Sequence, residues 1–108
     1  MKIIYEKHAG REIFLKVQEK LEVNLRENPS TGFTWMEEII GKQILKLEKE
    51  DFLHDEITQG GNSLHKWLFN AEKTGIQKLK FIYQRPWLTN SQPGKEFEVT
   101  VHVHHELF

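Results

Sequence analysis

The chain has 108 residues, 38% of them hydrophobic and 11% aromatic, with 15 Lys+Arg against 16 Asp+Glu and a formal net charge of -1. That is one domain's length and enough apolar mass for a core, which excludes intrinsic disorder and leaves no broad cationic face for nucleic acid or an anionic membrane. There is no cysteine, so disulfides, thiolate metal sites and thiol catalysis are excluded.

The N-terminus turns charged at Glu6-Lys7 after Ile3, Ile4 and Tyr5, where a secretory signal needs an apolar run of roughly seven to fifteen residues. As written the chain is expected in the cytoplasm; if an upstream segment was trimmed, it is secreted, lysosomal or periplasmic. No apolar run approaches the roughly 20 residues of a membrane-spanning helix.

Further along, apolar residues recur at every second position, the period of strands with one face buried. Ile13 to Val17 reads as a strand, and Leu21, Val23 and Leu25 alternate with Glu22, Asn24 and Arg26. Asn28-Pro29-Ser30-Thr31-Gly32 then forms a turn before Phe33 and Trp35. Pro29 stiffens one end, pushing Asn28 towards an extended conformation, and Gly32 is free to take φ > 0 at the other. Ile44, Leu45 and Leu47 read as strand, yet Gln43 to Phe52 is rich in Leu, Lys and Glu and also suits a helix. A long connection from Asp55 to Leu64 holds Gly60-Gly61-Asn62-Ser63, followed by a strand over Lys66 to Asn70.

Leu79, Phe81 and Tyr83 alternate with lysines. The loop Arg85 to Lys95 opens with Arg85-Pro86-Trp87-Leu88, a large aromatic placed after a strand-ending proline. The position predicts an exposed Trp87, against the alternative of a plug folded back on the core. Phe97, Val99, Val101 and Val103 form the last strand. Short strands broken by Gly, Pro and Asn clusters suggest an antiparallel sandwich or barrel. In a sandwich alternate connections converge on one rim, so the three long loops are expected to form one surface.

Candidates for chemistry are few. His102 and His104 lie two apart and share a strand face, as imidazole ligands would, but no sequence argument brings a third ligand to them. Glu37-Glu38 and Asp55-Glu56 are adjacent pairs, which on strands point to opposite faces. No nucleophile, base and orienting acid are marked out. The expectation is a binding protein, not an enzyme, without cofactor or metal.

Three segments in order carry a resemblance. Asn28-Pro29-Ser30-Thr31-Gly32-Phe33-Thr34-Trp35 resembles the N-P-T-T-G-[YF]-x-W signature of the chagasin family of cysteine-protease inhibitors, with Ser30 in place of the first threonine. Gly60-Gly61 falls where that family has its glycine-rich loop, and Tyr83-Gln84-Arg85-Pro86-Trp87 is similar to its Y-x-R-P-[WF] motif. The resemblance spans essentially residues 1–108, taken as one inhibitor domain.

It implies an all-β, immunoglobulin-like antiparallel β-sandwich of about seven strands. It further implies a monomeric, reversible, competitive, non-covalent inhibitor of papain-like, cathepsin-L-like cysteine proteases. The protease-binding residues carried over are Asn28, Pro29, Ser30, Thr31, Gly32 and Phe33 over the catalytic cysteine, Gly60, Gly61 and Asn62 on the non-primed side, and Arg85, Pro86 and Trp87 on the primed side. The alternative from another class is an immunoglobulin-like adhesion or recognition module without inhibitory activity.

Overall fold

The computed structural model describes residues 1–54, 63–87 and 94–106. Among them are eight strands: β1 Lys2–Tyr5, β2 Glu12–Lys16, β3 Lys20–Glu27, β4 Thr34–Glu38, β5 Leu45–His54, β6 Ser63–Ala71, β7 Gly75–Gln84 and β8 Lys95–His104. They form two four-stranded sheets, ordered β1-β3-β6-β5 and β2-β8-β7-β4. The all-β sandwich read from the period-two pattern is what forms.

Each strand turns one set of alternating residues inward. Leu21, Val23 and Leu25 of β3 meet Trp67 and Phe69 of β6, while Leu79 and Phe81 of β7 and Phe97, Val99 and Val101 of β8 face them from the other sheet, all essentially without solvent exposure. Burying a side chain of this size contributes roughly 1.5–3 kcal/mol relative to leaving it in water. Trp67, Phe69 and Phe97 gather around Phe81, with ring centroids at 4.4, 6.5 and 6.1 Å.

Three details depart from the sequence expectation. β1 makes the strand count eight rather than about seven, and the sandwich is not purely antiparallel. β1 pairs β3 in parallel, Ile4 opposite Val23, and β2 pairs β8 in parallel, Ile13 opposite Val101. These pairings join segments whose local patterns carry no information on strand direction.

The helical alternative over 43–52 does not hold either. Nine of the ten residues from Leu45 to His54 pair antiparallel with β6, with a register shift at Glu48 between Leu47 and Lys49. Gln77 of β7 helps decide this, because its Oε1 accepts from the backbone N–H groups of Ile44 and Leu45 at 2.7 and 3.0 Å. Helix propensity amounts to a few tenths of a kcal/mol per residue, less than a full ladder of strand partners with Leu45 in the core.

On the outer face of the second sheet, His102 does lie on the same strand as His104, but it bonds Glu12 at 2.9 Å and stacks on Phe14 with centroids 4.6 Å apart. Among the described residues no three His, Asp or Glu side chains are arranged to hold a metal ion.

Candidate functional site

The pairing of Thr34 with Gln84 sets the 28–33 loop beside the start of the 85–94 connection. β3 ends at Glu27, paired with Ser63, and Ser63 is paired with His54, so the strands that flank residues 55–62 reach the same rim. The first and third loops are therefore side by side. Gly60, Gly61 and Asn62 lie outside the described residues.

The first loop is built from its own side chains. Pro29–Thr31 make a single 3-10 turn whose N-cap is Asn28, with Asn28 Oδ1 accepting from the N–H and hydroxyl of Ser30 at 3.2 and 2.6 Å. Proline fits the first position because its missing N–H has no partner there. Thr31 Oγ1 donates to Asn28 O at 2.8 Å and accepts from Phe33 N–H at 3.3 Å. Gly32 closes the turn at φ 79°, donating its N–H to Pro29 O at 3.1 Å. That left-handed conformation is one that residues with a Cβ rarely adopt.

Aromatic side chains anchor the loop to the sandwich. Trp35 is buried and its Nε1 donates to Arg26 O at 2.9 Å, so the indole ties β4 to the end of β3. Tyr83 Oη accepts from Asn28 N–H at 3.1 Å, and its ring packs on Phe33 and Trp35 at 5.2 and 4.9 Å. Arg85 then bridges the two loops: its Nε donates to Thr31 O at 3.1 Å, and its guanidinium lies 4.7 Å from the Phe33 ring centroid.

Trp87 is 64% exposed, so the core-plug alternative does not hold. Its ring lies over Gly32, where a side-chain carbon at position 32 would come within 2.9 Å of Cζ2. Ser30, Thr31, Pro86 and Trp87 consequently form one exposed rim, with Phe33 and Arg85 half-buried beneath it.

Below the rim lies a group the sequence reading missed. Glu27 is buried, and its Oε1 accepts from Thr34 Oγ1 and Trp35 N–H, both at 2.8 Å, and from His65 Nδ1 at 2.5 Å. Burial alone would raise its pKa, but the bonds from His65, Trp35 and Thr34, with the histidine's charge, outweigh that and hold the carboxyl below the usual value. Glu37 behaves oppositely, pushed up by burial and by the charge of Glu50. The sequence held a signal for Glu27, an acid continuing the inward series Leu21, Val23, Leu25.

A rim of this kind offers hydrogen-bonding backbone and a planar indole on a stiff base. Residues 15–101 match the family described as Chagasin family peptidase inhibitor I42. The chain belongs to the chagasin family. Members are inhibitors of peptidases rather than enzymes. The chain is 26% identical to chagasin of Trypanosoma cruzi over 97 residues, covering 85% of this chain and 88% of that protein.

Two solved structures share the chagasin-family fold. The crystal structure of the cysteine protease inhibitor EhICP2 from Entamoeba histolytica is 23% identical, covers 95% of both chains and superposes with a TM-score of 0.87. The structure of PbICP-C in complex with falcipain-2 is 18% identical, covers 96% of this chain and 100% of that one, and gives a TM-score of 0.64.

Proposed function

We propose that this chagasin-family chain inhibits papain-like cysteine proteases by laying its loop rim over the active-site cleft, with Ser30, Thr31 and Gly32 against the catalytic cysteine. Arg85, Pro86 and Trp87 cover the primed side, and Gly60, Gly61 and Asn62 the non-primed side. The observation that carries this reading is the Arg85 bridge to Thr31 O and Phe33, which joins the first and third loops into one surface before any partner arrives.

Preorganisation of this kind lowers the ordering cost of binding. The turn also explains why the inhibitor is not simply cleaved. The N–H groups of Thr31 and Gly32 bond back to Asn28 O and Pro29 O, so the tip is a closed turn rather than the extended segment that a protease cleft aligns for attack. Lacking cysteine, the chain has no thiol to exchange with the protease thiolate, so inhibition is non-covalent and reversible.

The test is titration of papain with the pure chain on a fluorogenic peptide. Activity is expected to fall to zero at one inhibitor per active site and to return on dilution at a rate set by dissociation. Full activity in the presence of excess folded chain overturns the reading in favour of a recognition module without inhibitory activity.

A further inference from the structure

Glu27 sits at the neck of the 28–33 loop, and a single oxygen closes that neck. Glu27 is the last residue of β3 in one sheet; Thr34 and Trp35 are the first two of β4 in the other, and both donate to its Oε1. The same oxygen accepts from His65 Nδ1 on β6. The opposite ring nitrogen, Nε2, lies 2.6 Å from Glu50 Oε2 on β5. One imidazole thus links the loop's neck to both strands that flank residues 55–62.

The ring is held between Trp67 and Phe52, with centroids at 3.7 and 4.0 Å, and is 1% exposed. Facing a carboxylate oxygen at each nitrogen, the ring can donate to both at once only in its imidazolium form. Charges buried this way cost desolvation that apolar residues of the same size would avoid, so stability alone gives no reason for the group. Its geometry gives another, because the group ties the neck of the loop to β5 and β6.

We propose that Glu27, His65 and Glu50 are positioning residues for inhibition, a carboxylate–imidazolium–carboxylate clamp that fixes the 28–33 loop relative to β5 and β6 and releases it in acid. The proposal rests on the inhibitory reading above, whose loop it regulates. Protonating Glu27 removes the negative charge that holds the imidazolium and weakens the acceptor shared by Thr34 and Trp35. Glu37 on β4 faces the clamp from beside Glu50, and Tyr83 on β7 meets the same neck through Asn28 N–H. By strand alternation Arg26, Asp51 and Lys66 lie on the outer face of the sheet, away from it.

The free chain tests the clamp without any protease. Backbone amide spectra of the full chain, recorded from pH 7.5 to 3.5, are expected to show Thr31, Gly32 and Trp35 moving together as Glu27 takes up its proton. Glu27→Gln keeps an oxygen for Thr34 and Trp35 but carries no charge, and is expected to abolish that step. Binding to papain whose thiol is blocked as the methyl disulfide is expected to hold level from pH 6 to pH 4.5 and to weaken severalfold from there to pH 3.5 for the wild type, and to stay flat for Glu27→Gln.

Should Glu27→Gln not fold, Glu50→Gln removes the outer arm, whose carboxylate is 43% exposed. It is expected to weaken binding severalfold at pH 6, while Asp51→Asn on the outer face leaves it unchanged. Loop amides that ignore the titration of Glu27, or a Glu27→Gln chain with wild-type pH dependence, overturn the clamp. Coupled titration in a chain that binds papain at no pH overturns the inhibitory reading instead and leaves the clamp standing.

Discussion

The outer edge of the Trp87 ring lies so close to Gly32 that a methyl group at position 32 would overlap the indole, 2.9 Å from Cζ2 and nearer still to Cη2. The absence of a side chain at one loop tip therefore sets the position of the largest exposed ring in the next loop.

Gly32→Ala is accordingly expected to act twice. It strains a backbone at φ 79° by about 1–2 kcal/mol, and it drives Trp87 off its seat. The inhibition constant against papain is expected to rise at least about tenfold, the equivalent of 1.4 kcal/mol. Trp35 and Trp67 are buried, so acrylamide quenching of tryptophan emission reads Trp87 and is expected to change in the variant, with circular dichroism unchanged.

Trp87→Ala removes an exposed ring that packs on the rim rather than in the core. A binding loss of about 2 kcal/mol or more, the scale of an interface hot spot, is expected, with the melting temperature nearly unmoved. Calorimetric titration and thermal melting on the same sample check both halves. A large fall in melting temperature with unchanged affinity would make the ring a structural plug.

Arg85→Lys keeps the charge but loses the planar group that bonds Thr31 O and covers Phe33 at once. Such a stacked cation contributes about 0.5–1 kcal/mol at exposed sites, so a severalfold weaker inhibition constant is expected, expressed mainly in slower association. Stopped-flow association with papain separates that from faster release.

Thr31→Ala takes the hydroxyl that donates to Asn28 O and accepts from Phe33 N–H. That hydroxyl ties the two sides of the turn. Loss of such a bond costs about 0.5–1.5 kcal/mol. Thr31→Ser is expected to restore the inhibition constant to near the wild-type value, and Thr31→Ala to miss it by several-fold.

Two acids, Glu27 buried and Glu37 half-buried, pull stability in opposite directions with pH. Glu37 is raised above its ordinary 4.5, so its charge penalises the fold at neutral pH, and that penalty disappears as pH falls through the raised value. Glu27 is held below 4.5, so its contribution is complete above 4.5 and is lost as pH drops further through the depressed value. Glu37→Gln is expected to melt higher than wild type at pH 7 and no higher at pH 3.5, in melts followed by circular dichroism.

The period-two runs at Leu21–Leu25, Leu79–Tyr83 and Phe97–Val103 made the sandwich legible, because one buried face imposes alternation locally. The rim was legible through Asn28 to Trp35 and Tyr83 to Trp87, whose turn chemistry is also local. What stayed hidden depends on partners far along the chain. Gln77 meets the entry to β5 from 32 residues away, and His65 meets Glu27 from 38. The strand direction of β1 and β2 is likewise settled only by β3 and β8.

β2 takes its place against β8, the final strand, with Glu12 opposite Thr100 and Lys16 opposite His104. A growing polypeptide therefore cannot complete the second sheet until residues 95–104 have been synthesised, and must keep β2 waiting with Ile13 and Leu15 uncovered. Closing a loop of this length before any contact rewards it is slow, and sandwiches dominated by such pairings fold in milliseconds to seconds. For a cell making this chain, the vulnerable interval is the wait between the second strand and the last, when chaperones would have apolar surface to hold.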